Sequence, residues 1–486
     1  MAVAGHHRGF ALLTFMIVMI GLGAFGLSKM LDSSVQDKQQ LSRDKTRQAL
    51  LDAKQALFGQ AVDFLVQNDP SKMGALPCPD VDGSLNLEGS QDPSCGVKGA
   101  NSLGLFPFKS VGLGKLEDGN GQCLWYAVSA AYKNAPGFGL LNWDSNGMLT
   151  VENEQAVLKH GSNPQDFPVA VLIAPGAPLA GQNRSADPAL PLCSGNYSWN
   201  HYLENGPNLD YSTYTPGDVG SIWGFLDASV KSVGTNVNFN DRVVFITRKE
   251  LWDAIEKTGS LSTSQPSPIR ELTKNLAECL ASYGNMDANR TLVYPSRMVL
   301  ADYSDREDYR DQSGRFSGRY PQDIRNSNID SGMKLSNDDA KKFVMDPGAG
   351  TGYCESASSL NAALWENWKD QFFLVVADAF KPGTLIPYAS RCSAGGGNCL
   401  NIDSRSNVAA IVFFAKRRTA DQTRDMTGYS NDSLVSERAS MWNEYLDGTN
   451  RHLYDGTSAT DTFEVNDDDY AFCIIKDSGG LSAVEC

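Results

Sequence analysis

Between about Leu31 and Val66 the chain has no proline and one glycine, Gly59, and its apolar residues recur at three- and four-residue steps: Leu50, Ala53, Leu57, Ala61 and Phe64. That spacing predicts an amphipathic helix with one face buried. Ahead of it, Phe10 to Leu27 carries no charge over 18 residues and follows the basic leader His6-His7-Arg8-Gly9. This length is the lower edge of what crosses a bilayer as a helix, and Arg8 favours a cytoplasmic start with the remainder translocated. The run continues through Ser28-Lys29-Met30-Leu31-Asp32 with no small-residue cleavage site, so the apolar segment is expected to stay attached.

Further along, short apolar runs predict strands, and they come in echoing pairs. Gln122–Val128 is echoed by Asp370–Val376, and Phe167–Ala174 followed by Gln182-Asn183-Arg184 is echoed by Asn407–Phe414 followed by Gln422-Thr423-Arg424. Asn240–Ile246 is echoed by Asp467–Cys473. The shared order of helix, short strand, strand, strand predicts a duplicated head. Gly259-Ser260-Leu261-Ser262-Thr263-Ser264-Gln265-Pro266-Ser267-Pro268 has linker composition, and a helix from Arg270 to about Tyr283 is expected to open the second half. The long polar stretches 176–221 and 302–340 are expected as loops.

Composition sharpens this. The 486 residues carry a net charge of −15, which argues against a nucleic-acid binder. Ten cysteines, none in a Cys-x-x-Cys pair, behind an export-type N-terminus predict disulfides in an oxidising compartment. Short loops predict Cys78–Cys95, Cys392–Cys399 and Cys473–Cys486; Cys123–Cys193 and Cys279–Cys354 are the expected remainder, among the many pairings that ten cysteines allow.

The pattern Arg8-Gly9-Phe10-Ala11-Leu12-Leu13 resembles the prepilin cleavage motif of type IV pilins and type II secretion pseudopilins. The resemblance implies a cut between Gly9 and Phe10 by a prepilin peptidase, with Phe10 methylated as the mature terminus. The Cys473–Cys486 loop is similar to the C-terminal disulfide loop of many pilins. Family members mostly carry glutamate as the fifth mature residue, a buried carboxylate that needs a partner amine. Here that residue is Thr14, which resembles tip pseudopilins and certain minor pilins. Leu76-Pro77-Cys78-Pro79-Asp80 with Gly104-Leu105-Phe106-Pro107-Phe108 and Leu124-Trp125-Tyr126 also resembles a group of bacterial prepilin-like proteins.

The fold expected from all this is α+β: a long membrane-spanning N-terminal helix, then a two-module head of helices and antiparallel sheets stapled by disulfides. The expected divisions are a leader (1–9), the pilin-type helix (10–66, with 10–27 in the membrane), a first module (67–258), a linker (259–269) and a second module (270–486). The expected function is a minor pilin or pseudopilin, a structural or initiating subunit at a filament tip, held in the bacterial inner membrane with a periplasmic head before assembly. Its expected partners are other pilins, through the N-terminal helix, and the peptidase. The alternative is an anchored adhesin or binding protein outside any filament.

Catalytic chemistry is not expected. The chain has no His-Glu-x-x-His, Walker loop or Gly-x-Ser-x-Gly elbow, and His160, His201 and His452 are scattered. Gly21-Leu22-Gly23-Ala24-Phe25-Gly26 matches a dinucleotide fingerprint but lies inside the apolar run, where glycines serve helix packing. Calcium is the one ligand to weigh, on oxygen-rich turns at Asp80 and Asp82 first, then Asp118–Gly121 and Asp467–Asp469.

Overall fold

The computed structural model describes residues 36–63 and 72–486, leaving out internal segments of which the longest are 205–217, 325–340, 345–351 and 447–461. The expected span 10–27 and the residues Gly9, Phe10 and Thr14 therefore lie outside the described residues.

The first described helix, α1 (36–63), corrects the expectation of a long membrane-spanning helix. Among the described residues no helix is long and apolar enough to cross a membrane. The reason is visible in α1, which carries Asp37, Lys38, Arg43, Asp44, Lys45, Arg47, Asp52 and Lys54. Only one stripe of it is apolar, and that stripe is buried: Ala49, Leu50, Ala53, Leu57 and Ala61. What remains of the expected class is α+β with five disulfides.

In the first half the strands are β1 (Ser102–Leu105), β2 (Trp125–Val128), β3 (Leu149–Glu152), β4 (Pro168–Ala174), β5 (Trp223–Leu226), β6 (Lys231–Val233), β7 (Asn236–Phe239) and β8 (Arg242–Thr247). Four of them form an antiparallel sheet in the order β1-β2-β4-β8. Here α1 lies close to the sheet. Lys54 Nζ donates to the Phe245 carbonyl of β8 at 2.8 Å, and Thr46 Oγ1 accepts the Gly119 N–H at 2.9 Å. A Cβ at Gly119 would stand 2.0 Å from the Ser42 carbonyl oxygen, so glycine permits this approach. At Thr247 a capping box with Glu250 turns β8 into α2 (Arg248–Glu256).

The second half opens on α3 (Pro268–Met286), with proline at its first position and Ile269, Leu272, Leu276, Leu280 and Tyr283 buried. It continues through β9 (Ser317–Arg319), β10 (Asp323–Ile324), β11 (Lys341–Lys342), α4 (Tyr353–Ser358), α5 (Ala362–Trp368), β12 (Phe372–Val376), β13 (Leu400–Ile402) and β14 (Arg405–Ala415). It closes with α6 (Val435–Asn443), β15 (Thr462–Phe463), β16 (Asp469–Lys476) and β17 (Leu481–Glu485). Antiparallel neighbours run β9-β12-β14-β16, the same order as β1-β2-β4-β8, with β17 added beyond β16. The helix α3 packs on β14, β16 and β17. The strands that echo one another in sequence thus hold like places in the two sheets.

The halves share one apolar core, a single contiguous cluster running from Ala49 to Leu481. Trp143 of the first half meets Trp368 edge-on at 4.9 Å and Phe414 at 5.5 Å, and Trp252 of α2 meets Trp368 at 5.7 Å. The cysteines pair Cys78–Cys95, Cys123–Cys193, Cys279–Cys354, Cys392–Cys399 and Cys473–Cys486, with none free. Each bond therefore joins residues of the same half.

Candidate functional site at the seam

The site is built from a device used twice. After β4, the loop Gln182-Asn183-Arg184 folds back so that the Arg184 guanidinium fills the strand end. It donates to the carbonyls of Gly176 (2.8 Å) and His201 (2.9 Å) and stacks on Tyr202 at 4.6 Å. After β14, Gln422-Thr423-Arg424 does the same. Arg424 donates to the carbonyls of Lys416 and Glu444 and stacks on Tyr445 at 4.9 Å. Each arginine also reaches a glutamine at the start of the neighbouring strand, Gln122 for Arg184 and Gln371 for Arg424. A planar fork with donors on several edges suits this task, and lysine could not reproduce it.

The second component has its own sequence signal: Trp199-Asn200-His201-Tyr202-Leu203 recurs as Trp442-Asn443-Glu444-Tyr445-Leu446. In both copies the Tyr and Leu N–H groups bond the Trp carbonyl, which holds the stacking ring in place.

The two copies differ in what lies beyond the arginine. Arg424 reaches across the seam to Asp144 Oδ2 at 2.9 Å, and Gln371 Nε2 donates to the same oxygen at 2.7 Å. Asn142 Nδ2 donates to Asp370 Oδ1 at 2.9 Å, and Gln371 Nε2 also donates to Asp370 Oδ2 at 3.0 Å. Arg424 holds this reach in a left-handed backbone conformation, φ 49°, which is unfavourable for a residue with a Cβ.

A cleft of about 810 Å³ opens on this group, with Asn142, Asp144, Asp302, Asp370, Arg424 and Tyr445 in its walls. Burial, reinforced by the charge of Asp144, pushes the Asp370 carboxyl up to about 7 against the pull of Arg319, Gln371 and Arg424. Asp144 Oδ1 is buried with no hydrogen-bond partner among the described residues. The arrangement can hold a proton near neutral pH and accept from a donor. Ser145 also lines the cleft, its hydroxyl accepting from the Asn142 N–H and donating to the Leu140 carbonyl, and the polar groups together suit binding.

The sequence-predicted residues lie elsewhere. Asp80 is buried and accepts from the Gly89 N–H at 2.6 Å and the Tyr197 hydroxyl at 2.9 Å, so both its oxygens serve protein donors. Asp82, Asp467 and Asp468 lie outside the described residues. Asp118 takes the N–H groups of Asn120, Gln122 and Gly176, an Asx turn that ties the loop to the end of β4. Among the described residues no three His, Cys, Asp or Glu side chains gather to hold a metal ion. His160 Nε2 accepts the Val151 N–H and His201 Nδ1 the Asn183 N–H, while His452 is outside the described residues. Comparison with protein families, curated proteins and solved structures finds no match to this chain.

Proposed function

We propose that the chain is an extracytoplasmic subunit of a type IV pilus or related secretion filament, cut between Gly9 and Phe10 and placed at or near the tip. The observation that carries the reading is α1, a charged helix whose single apolar stripe is buried beside an antiparallel sheet. This is the docking of helix on head that the prepilin-type N-terminus implies. Five disulfides and no free thiol agree with a head that folds in an oxidising compartment. Two halves sharing one core make a bulky head, which suits a single terminal place better than a repeated one.

A second reading, an extracytoplasmic adhesin or binding protein outside any filament, draws on the 810 Å³ seam cleft.

Mass spectrometry of the mature N-terminus and immunogold labelling of sheared filaments separate them. The first reading expects a terminus at Phe10, an uncut Gly9→Val variant, and label confined to filament ends. Regular label along the shaft refutes tip placement. A chain that is absent from filaments favours the second reading.

A further inference from the structure

The two sheets share an order but are not closed alike. In the second, an Asp477 turn, its Oδ1 accepting the N–H groups of Gly479 and Gly480, brings the chain back as β17 along the outer edge of β16. In the first, the chain leaves β8 for α2, and among the described residues no strand pairs with the outer edge of β8.

Two contacts fix which backbone groups face that edge. The Phe245 carbonyl accepts from Lys54, and the Thr247 N–H donates to Glu250 Oε2 at 2.9 Å. By the two-residue period of a strand, the N–H and carbonyl of Val243 and the N–H of Phe245 face the same way. The corresponding side of β16 is taken, since the Cys486 N–H donates to the Ala471 carbonyl at 3.3 Å. Lys54 is the kind of cationic guard that natural sheets place on an open edge.

A groove of about 540 Å³ opens between α1 and the ends of β4 and β8, with Arg43, Arg47 and Leu50 of α1, Ala174 of β4, and Arg242, Val243 and Val244 of β8 in its walls. Asp44 and Asp118 also line it, but the Asp118 carboxylate is engaged by three backbone N–H groups. The filled edge shows what such a groove accepts. On β17, Glu485 Oε2 is held by Arg270 of α3 at 2.6 Å, and its carbonyl accepts from Arg405 at 2.9 Å.

We propose that the outer edge of β8 receives an extended, carboxylate-bearing segment of a partner protein as a fifth strand, its acidic side chain held by Arg43, Arg47 and Arg242. Main-chain hydrogen bonds would supply the affinity and the arginines the selectivity. The occupant is a different polypeptide, because in every copy of this chain the strand of matching character, β17, is tied into its own sheet by Cys473–Cys486.

The test uses the full chain and the peptide acetyl-Leu-Ser-Ala-Val-Glu-amide, a copy of β17, with hydrogen exchange read at individual amides. Saturable protection of the Val243 and Phe245 amides is expected, with about tenfold weaker binding when the peptide glutamate is replaced by lysine. The double variant Arg43→Glu, Arg47→Glu should reverse that preference. Val243→Pro removes an N–H that the sheet does not use, so β8 should stay paired while binding is lost. No protection at millimolar peptide overturns the proposal, as does protection that survives Val243→Pro. Protection of the Val243 amide that grows with protein concentration alone assigns the edge to a second copy and overturns the heterologous partner.

Discussion

Replacing Asp370 by Asn should change how stability depends on pH in a way fixed by the seam. The Asp370 carboxyl is buried, accepts from Asn142 and Gln371, and is pushed up to about 7 in the folded chain from an ordinary value of 3.8. A folded-state value above the unfolded one means that the folded chain holds its proton more tightly. The stabilisation is therefore complete below about pH 4 and is lost as pH rises to about 7. The gap, at 1.36 kcal/mol per pH unit, amounts to about 4 kcal/mol. Full burial leaves little solvent screening to discount it. Asn keeps the shape and does not titrate, so subtracting the variant's unfolding free energy from that of the parent isolates this one group. Urea unfolding of the oxidised protein, followed by fluorescence of the seam indoles Trp143, Trp252 and Trp368, measures both. The parent should lose stability relative to Asp370→Asn by about 4 kcal/mol between pH 4 and pH 7, with no further change above. A difference that stays constant across that window refutes the reasoning.

Three further outcomes follow from the packing. Leu57→Ala deletes a fully buried side chain of the α1 stripe and should cost about 2–5 kcal/mol in urea unfolding, whereas Leu41→Ala, at an exposed position, should cost little. Removing the terminal disulfide with Cys473→Ser and Cys486→Ser opens a loop with a sequence separation of 13, worth about 3 kcal/mol, and should speed exchange of the β17 amides before those of β14. Arg424→Lys should destabilise by about 1–3 kcal/mol and shift Trp143 fluorescence, because lysine cannot serve the Lys416 and Glu444 carbonyls and Asp144 together. Arg184→Lys, whose partners all lie in the first half, should leave Trp143 unchanged.

How far the sequence foretells this structure depends on the range of the interaction. The α1 stripe and the apolar strands declare themselves by period, because burial on one face or two leaves a repeating mark. The three disulfides that close short loops were legible from spacing, whereas Cys123–Cys193 and Cys279–Cys354, with separations of 70 and 75, were only what remained. The duplicated order shows in weak echoes, while the stronger echo, the Trp-Asn-x-Tyr-Leu segment, carries no periodic mark because its copies are a turn in one half and the end of a helix in the other. The seam was beyond reach. Nothing in Asn142-Trp143-Asp144 forecasts that its partners are Asn367, Asp370, Gln371 and Arg424, more than 220 residues away. The open edge of β8 was equally hidden, since it shows only when the second sheet is set beside the first.

That every disulfide stays within its own half bears on the order of events as the chain emerges. The first half can complete Cys78–Cys95 and Cys123–Cys193 before any residue of the second has appeared, and the second can then close its three bonds by itself. Oxidation therefore need not wait for the halves to meet, and no wrong cross-link is required to hold them while they search. The final union is left to reversible contacts among Trp143, Asp144, Trp368 and Arg424, which can open and re-form until the fit is right.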